Sequence, residues 1–391
     1  MHVMKNQDKN YRGRIFINAI SARRGGGQTY LINLLKFIPA EYNNIEIFLL
    51  APDSLELVTD YPNLTRVHVN WPIENPFLRA IWEKFFLPTV LRQKDINILF
   101  CPGGVIGTKP PSGCKTITMF RNMIPFDPKV RKKYPLGYMR VRNWILEKIM
   151  SQSMLRADLV IFISEFAKTI IENYTKNAIK KAVVIPHGIN PHFRNPENKT
   201  LPMPNWIPKD GYFLYVSIFD VYKAQLEVVR SFALLKQRRN TKEKLVLAGP
   251  ENPDYGLKLR AEISRLGLND DVLLVGAIPY NQLPAIYHHA KINIFASECE
   301  NCPNILLEAL SAGRPLFSSN IAPMPEFGGD AVVYFDPGYP EQLAEKIIAV
   351  IDDASKMEEL ALKSRVRSLQ YQWSEAARET WKAIVDLHLE K

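Results

Sequence analysis

The sequence KINIFASECENCPNILLEALSAG, residues 291–313, places two carboxylates eight positions apart across a predicted strand-to-helix turn. Its first seven residues are apolar and rich in β-branched and aromatic side chains, which is typical of a buried parallel strand. Pro303 suits the first turn of a helix, and an apolar helical rhythm continues to Leu310. The pattern therefore predicts Glu300 in a loop at the carboxyl end of a strand and Glu308 about two turns into the following helix.

This edge of a sheet is where open α/β folds bind ligands, because the free N–H groups of a helix start favour anionic phosphate. A carboxylate in the loop or on the helix can accept hydrogen bonds from sugar hydroxyls. The alternative is that Glu300 and Glu308 are solvated glutamates around a core helix, and their spacing alone leaves both interpretations open.

Length and composition indicate a multidomain globular protein. A chain of 391 residues is too long for one small core, which favours two or three domains. No stretch approaches the roughly 18 apolar residues of a membrane span, and the polar N-terminus does not resemble a secretory signal. The four cysteines do not suggest a disulfide framework, so we predict a cytoplasmic location.

Strands and helices alternate along both halves of the chain, which predicts an α/β fold with two doubly wound parallel sheets. The predicted strands are residues 14–20, 45–50, 66–70, 96–100, 116–120, 159–163 and 182–185, then 212–216, 245–248, 272–275, 292–296, 316–318 and 332–335. A helix is expected over residues 77–91. The Pro- and Asn-rich residues 191–211 read as a linker. We therefore predict a first domain over 13–190, a second over 212–372 and a closing helix over 373–391.

A glycine run, Gly25-Gly26-Gly27, joins the first strand to the first helix, where glycine allows backbone N–H groups to approach a ligand. A simple tight turn is the alternative. The run is not a dinucleotide fingerprint, because the last position of that register is Tyr30, and an NAD enzyme is therefore disfavoured.

The formal net charge of +10 indicates an anionic partner. No nucleic-acid-binding motif is present, so nucleic acid is not expected. Residues 129–156 combine basic side chains with Tyr138, Trp144 and Ile145, and this segment is predicted to bind an anionic membrane surface. A solvated helix that packs its apolar residues inward is an equal alternative.

The pair Cys299-x-x-Cys302 suggests a zinc or redox site, but four ligands are needed and no second cysteine pair exists. Overlap with the glutamate motif makes coincidence the preferred interpretation. No Asp-x-Asp occurs, which agrees with handling of a diphosphate without a metal.

The Glu300–Glu308 motif resembles the E-x7-E element of the retaining GT-B glycosyltransferases of family 4, and the resemblance extends over residues 13–391. It implies two Rossmann-like domains facing a cleft, with the last helix crossing back to the first domain. It also implies a metal-free enzyme with no cofactor, in which a nucleotide-sugar is the donor substrate.

The resemblance implies the following donor-site roles in the second domain. Glu300 would contact the donor sugar, Glu308 the ribose, and Lys223 together with backbone amides around residues 301–305 the diphosphate. Members of the family commonly carry an arginine five residues before this lysine, and here that position is Ile218. The remaining donor positions are Asn301, Cys302, Asn304, Ile305, Ile278, Ser217 and Glu326.

In the first domain, the resemblance assigns Gly26 and Gly27 to the acceptor and phosphate side. Arg121 and Asn122 stand where many relatives have His-Asp, so the usual donor-contacting histidine is replaced. Arg121 is expected to hold an acidic acceptor or a phosphate, or to be a structural cation. His187 lies in a turn that matches a family motif.

The implied activity is that of a retaining hexosyltransferase acting on a lipid-linked glycan or a cell-surface polysaccharide precursor. The protein would work in the cytoplasm, with peripheral binding at the inner membrane face as a further expectation. Two alternatives stay open. One is a non-catalytic nucleotide-sugar-binding partner, favoured by the replaced arginine and histidine, and the other is a GT-B nucleotide-sugar epimerase.

Overall fold

The structure, a computed structural model, describes residues 12–23, 25–56, 59, 61–194 and 204–390. The chain forms two compact units. The first contains Met1–Pro125, Val141–Gly188 and Trp373–Lys391, and the second contains Phe126–Arg140 and Ile189–Gln372. Within the predicted linker, residues 195–203 lie outside the described residues.

A parallel seven-stranded sheet forms the centre of the first unit, in the order β3-β2-β1-β4-β5-β6-β7. The strands are β1 Arg14–Asn18, β2 Glu46–Leu50, β3 Leu64–Arg66, β4 Ile98–Cys101, β5 Lys115–Phe120, β6 Leu159–Phe162 and β7 Ala182–Val184. Every residue of β4 and β6 is buried. Their unbroken apolar sequences reflect a parallel sheet that is covered on both faces.

The helices of this unit are α1 Gly26–Lys36, α2 Pro76–Phe85, α3 Leu87–Gln93, most of α5 Tyr138–Arg156, α6 Glu165–Tyr174 and the C-terminal α14 Trp373–Leu389. As the resemblance implied, the last helix belongs to the first unit and packs on α1. The indole N–H of Trp381 donates to the Leu34 carbonyl at 2.9 Å, and the Trp381 side chain is fully buried.

A parallel six-stranded sheet forms the second unit, in the order β10-β9-β8-β11-β12-β13. The strands are β8 Tyr212–Val216, β9 Lys244–Ala248, β10 Val272–Gly276, β11 Ile292–Phe295, β12 Leu316–Ser319 and β13 Val333–Phe335. The helices are α4 Pro128–Lys133, α7 Gln225–Arg238, α8 Pro253–Arg265, α9 Leu283–His289, α10 Asn304–Ser311, α11 Met324–Gly328, α12 Pro340–Ile351 and α13 Ala354–Ser368. The predicted pair of doubly wound sheets is thus confirmed.

Both sheets reverse their strand order in the middle, between β1 and β4 in the first unit and between β8 and β11 in the second. At such a point the loops that follow two neighbouring strands run to opposite sides and leave a crevice for a ligand. In the second unit, those loops are residues 217–224 after β8 and 296–303 after β11. They carry half of the predicted donor-site residues, and α10, which follows the second loop, carries three more.

Three local predictions were wrong. The strand predicted at residues 66–70 is Leu64–Arg66. The helix predicted at 77–91 is two helices, α2 and α3, because Pro88 lacks an N–H and cannot continue the first one. Glu308 lies only a little over one turn into α10, since that helix begins at Asn304, after Pro303.

Residues 126–140 were predicted in the first domain, whereas the structure places them in the second unit. Their polar groups bond there: the Lys133 ammonium pairs with Glu298, and the Tyr134 hydroxyl donates to Asp220 at 3.4 Å. These partners are far away in sequence, so local patterns do not predict them.

Candidate active site

Lys223 and Glu300 form an ion pair at the switch point of the second sheet. Lys223 follows β8, and Glu300 follows β11, the strand beside it. The Ser297 hydroxyl also donates to Glu300, to the same oxygen at 2.6 Å. The fold therefore joins two predicted site residues that are 77 positions apart in the chain.

The surroundings of Lys223 are apolar, and its residue surface is only 4% exposed. Its ammonium lies 4.9 Å from the centre of the Tyr222 ring and 5.5 Å from that of Phe295, so two aromatic faces stabilise its charge. The Tyr215 hydroxyl donates to the Lys223 carbonyl at 2.6 Å, which fixes the backbone there. Lys223 thus supplies a positioned cation at the carboxyl edge of the sheet.

Hydrogen bonds to a backbone carbonyl stabilise the turn before Lys223. The Ile218 carbonyl accepts from the Ser217 hydroxyl at 2.7 Å and from the Gln225 amide at 2.9 Å. Ser217 is buried and its hydroxyl is used inside the turn, while Ile218 is 42% exposed. An apolar side chain therefore lies on the surface at the position where the family resemblance implied an arginine.

Two further carboxylates, one in each of these loops, are bonded to residues 126–140. Asp220 accepts from Tyr134, and Glu298 pairs with Lys133. Burial raises the pKa of both the Asp220 and the Glu298 carboxyl groups. This segment is thereby attached to both loops of the candidate site.

Glu308 lies on α10 and accepts a hydrogen bond from the Tyr280 hydroxyl at 3.1 Å. Desolvation by burial raises the pKa of its carboxyl group to about 8, although the bond from Tyr280 lowers it in part. An acidic group with so high a pKa is typical of a binding or catalytic position. Near neutral pH, its protonation will respond to a ligand that donates hydrogen bonds to it.

The remaining donor positions surround the same sheet edge. Asn301 and Cys302 are buried in the loop after β11, whereas Asn304 and Ile305 are half-buried at the start of α10. The backbone N–H groups of Asn304 and Ile305 lie in the first turn of α10, where the helix dipole and free N–H groups favour an anion. Burial raises the pKa of the Cys299 thiol well above its usual range, so this cysteine is a poor nucleophile.

Ile278 and Glu326 lie in other loops of the second unit. Ile278 is half-buried two residues after β10. Glu326 is half-buried in the short helix α11, where its carbonyl accepts from the Arg367 guanidinium at 2.7 Å. Their roles toward the donor stay predictions.

In the first unit, three of the predicted acceptor-side residues, Gly27, Arg121 and His187, lie near an aromatic cluster. Arg121 lies 5.7 Å from the ring centre of Tyr30, and a side chain at Gly27 would approach Arg121 to 3.4 Å. The Tyr30 ring centre is 5.5 Å from that of buried His187, and Trp373 on the last helix lies 5.2 Å from His187. Gly26 opens α1, and the Asn122 side chain accepts from the Ile124 N–H at 3.3 Å.

The sequence analysis missed several residues that the structure places at these sites. Tyr280 bonds Glu308, Ser297 bonds Glu300, and Tyr30 and Trp373 flank His187. Tyr280 lies two positions after Ile278, a predicted donor-site residue, and this proximity was the available signal. The other contacts arise from tertiary folding and leave no local pattern.

Among the residues that the structure describes, no three His, Cys, Asp or Glu side chains are arranged to hold a metal ion. No helix in this part of the chain is long and apolar enough to span a membrane.

Two Rossmann-like units, each with a parallel sheet, are the architecture of the GT-B glycosyltransferases. Residues 199–367 match the glycosyl transferases group 1 family, and residues 24–193 match glycosyltransferase family 4. Together these matches account for most of the chain. The protein belongs to this family of glycosyltransferases.

Relatives and solved structures agree with this assignment. The chain is 23% identical to O-antigen chain mannosyltransferase B of Escherichia coli, over 68% of this chain and 69% of that protein. It is 22% identical to the serotype-specific mannosyltransferase WbdA of Escherichia coli, over 67% of this chain but only 32% of WbdA.

Among solved structures, the sucrose-phosphate synthase of Thermosynechococcus elongatus has a TM-score of 0.75 and 16% identity, over 97% of this chain and 100% of that one. Anabaena HepE in complex with UDP-glucose has a TM-score of 0.71 and 14% identity, over 96% and 100%. At these identities the likeness shows the fold alone.

Proposed function

We propose that this glycosyltransferase moves a hexose, specifically mannose, from a nucleotide-sugar to a hydroxyl of a growing cell-surface polysaccharide, with retention of anomeric configuration. The observation that carries the proposal is the ion pair of buried Lys223 with Glu300 at the switch point of the second sheet, together with Glu308 on the helix that follows the same loop. The choice of mannose and of a polysaccharide acceptor rests on the names of the two Escherichia coli relatives.

In the proposed reaction, the bond between the anomeric carbon and the diphosphate oxygen breaks, and a bond to the acceptor oxygen forms on the same face. The acceptor proton passes to a phosphate oxygen of the leaving diphosphate. Negative charge therefore grows on the diphosphate while positive charge grows on the sugar ring. Pre-positioned charges that match both changes lower the barrier.

Each residue has a stated task in this scheme. The Lys223 ammonium and the first N–H groups of α10 stabilise the diphosphate. Glu300 accepts hydrogen bonds from sugar hydroxyls and offsets positive charge on the ring. Glu308 accepts from the ribose hydroxyls. Glu300 also neutralises buried Lys223, and this ion pair holds the ammonium in place.

Incubation with GDP-mannose, UDP-glucose, UDP-galactose and ADP-glucose, each with and without a mannan oligosaccharide, tests the proposal. The expected result is extension of the acceptor by one mannose from GDP-mannose, with an α-linkage in the NMR spectrum of the product. A β-linked product would contradict retention. Transfer only from another donor would contradict the choice of mannose.

A second candidate is non-catalytic binding of a nucleotide-sugar, which the exposed Ile218 favours because one expected phosphate cation is replaced. Tight donor binding with no transfer and no release of nucleotide would identify it. Conversion of the donor without any acceptor would instead indicate an epimerase.

A further inference from the structure

Helix α5 exposes a side rich in large apolar residues, while its buried side combines polar side chains with Met150 and Met154. Its buried residues include Asn143, Ser151 and Ser153. The large apolar residues exposed along the part in the first unit are Val141 (57%), Trp144 (56%), Ile145 (44%), Ile149 (41%) and Leu155 (38%). Their spacing of three and four residues places them on one side of the helix.

Hydrogen bonds fix this orientation from the inner side. The Ser153 hydroxyl accepts from the Ile106 backbone N–H at 3.0 Å and donates to the Ile149 carbonyl at 2.8 Å. The Ser151 hydroxyl donates to the Glu147 carbonyl at 2.5 Å. Rotating the helix about its axis to bury the apolar side would break the hydrogen bond between Ser153 and Ile106. The fold of the first unit therefore keeps this apolar side exposed.

Basic side chains accompany the apolar residues. Residues 141–156 contain Arg142, Lys148 and Arg156, all exposed, and a single acid, Glu147. Glu147 accepts from the Tyr174 hydroxyl at 2.7 Å. Lys148 falls among the apolar residues of the exposed side by helical spacing, and the two arginines lie toward its edge.

We propose that this exposed side, the α5 outer face, docks on the surface of an anionic lipid bilayer. The face consists of Val141, Trp144, Ile145, Lys148, Ile149 and Leu155. This inference goes beyond the proposed function, since it concerns where the enzyme works and not what it transfers. Aromatic and aliphatic side chains enter the headgroup region while basic groups meet lipid phosphates.

The position of Lys148 favours lipid over a protein partner. The centre of a protein–protein interface is depleted of lysine, because the ammonium would lose its water. At a bilayer, the lysine stem lies against acyl chains while its ammonium reaches back to the phosphates. A large exposed apolar patch marks an interaction surface in either case, and the surrounding charge selects the anionic lipid.

The face is narrower than the segment 129–156 that the sequence suggested. Lys133 pairs with Glu298, and the Arg140 guanidinium donates to the carbonyls of Tyr134 and Lys132 at 2.7 and 2.8 Å. These cations stabilise the second unit's own structure. The docking residues therefore begin at Val141.

Co-sedimentation of the full chain with vesicles of phosphatidylglycerol or of phosphatidylcholine tests the proposal. We expect binding to phosphatidylglycerol only, with loss in about 1 M salt, where the Debye length falls to about 3 Å. Charge reversal by Lys148→Glu and apolar-to-acid replacement by Ile145→Glu should each weaken that binding about tenfold or more. Val366→Glu, at an equally exposed residue of α13, is the matched control and should leave binding unchanged.

A second readout does not depend on variants that alter charge. Brominated phosphatidylglycerol should quench part of the tryptophan fluorescence of the wild type and less in Trp144→Phe, because Trp144 enters the bilayer. Equal binding to both vesicle types, equal quenching in Trp144→Phe, or an equal loss from Val366→Glu would overturn the proposal. So would a dimer in sedimentation velocity that Ile145→Glu dissociates, since the face would then join two copies of the chain.

Discussion

The Lys223 ammonium is almost fully shielded from water in the second unit, and it depends on the Glu300 carboxylate to compensate its charge. A buried ammonium needs a partner charge, and removing one member of such a pair leaves the other uncompensated. The Glu300 carboxylate also receives the Ser297 hydroxyl, so it keeps one hydrogen bond if the lysine is lost. The pair therefore links the stability of the two loops with their proposed chemistry.

Lys223→Ala should lower the free energy of unfolding by about 3 kcal/mol, because it leaves the mostly buried Glu300 carboxylate without its cation. It should also reduce kcat by about a hundredfold or more, with a smaller change in donor KM, since the diphosphate charge grows in the transition state. Urea unfolding and steady-state kinetics measure the two effects.

The control for this prediction is Lys223→Met combined with Glu300→Gln, which removes both charges. The double variant should be more stable than Lys223→Ala while staying inactive. A stable and fully active Lys223→Ala enzyme would show that other groups hold the diphosphate.

Glu308 combines a half-buried carboxyl group with a pKa raised to about 8 by desolvation. In the folded chain it retains a proton that an ordinary glutamate, with a pKa of 4.5, releases. The protonated Glu308 side chain therefore makes its full contribution to the free energy of unfolding below about pH 4.5. This contribution is lost as the pH rises through about 8. Ribose hydroxyls that donate to the ionised carboxylate would favour the opposite, deprotonated form.

Donor binding should consequently tighten as the pH rises from 6 to 8 and level off above that, by up to about tenfold per pH unit. Isothermal titration calorimetry with the nucleotide-sugar at several pH values measures this. In Glu308→Gln the pH dependence of donor binding should disappear. The donor affinity of this variant above pH 8 should be weaker than that of the wild type. An unchanged pH profile in the variant would separate Glu308 from the donor.

At the scale of single elements, the turn after β8 owes its shape to a glycine in the neighbouring loop. Gly249 has φ of 147°, and a Cβ there would stand 1.9 Å from the Ser217 carbonyl oxygen. Its N–H donates to the Gly276 carbonyl at 2.7 Å, which connects the loops after β9 and β10. The close approach of these backbones is possible only without a side chain.

Gly249→Ala should destabilise the chain by about 3 kcal/mol or more and weaken donor binding, because the Ser217–Lys223 turn must move away. Gly267→Ala is the matched control: its φ is also positive, at 69°, but its added Cβ would meet nothing within 4 Å. That variant should cost about 1 kcal/mol and leave donor affinity unchanged. Equal effects of both changes would show that backbone strain alone matters.

At the scale of the whole molecule, the C-terminal helix is part of the core of the first unit. Trp381 fills a fully buried position under α1, and the Lys115 ammonium donates to the Leu387 carbonyl at 2.8 Å. The Tyr30 hydroxyl lies 3.4 Å from that of Thr380 on the same helix. The first unit is therefore completed by the last residues of the chain.

Trp381→Ala should destabilise the first unit by about 3–5 kcal/mol, through lost burial and an unpaired Leu34 carbonyl. Hydrogen exchange should accelerate in β1 and β5 and stay nearly unchanged in β8 and β11. Trp144→Ala, at an exposed site, should change stability by less than about 0.5 kcal/mol. Faster exchange confined to the second sheet would contradict this account of α14.

Much of the architecture could be predicted because it depends on local patterns. Apolar runs such as residues 292–296 and the restart of the strand–helix rhythm at 212 mark elements whose period is visible in the chain. The predictions fail where a single residue interrupts an otherwise regular pattern. Pro88, for example, divides the helix expected over residues 77–91. The family to which the chain belongs was likewise evident from short motifs around Glu300 and Lys223.

Local sequence patterns specify the strand–helix order, the two sheets and the position of Glu300 and Lys223 in loops at strand ends, because neighbouring residues suffice for each of these. The tertiary structure alone decided that Lys223 pairs with Glu300, that Tyr280 bonds Glu308, and that residues 126–140 belong to the second unit. It also decided that α5 turns its apolar side to solvent. Such contacts join segments that are distant along the chain, and the burial that selects them exists only once the sheets and helices have packed.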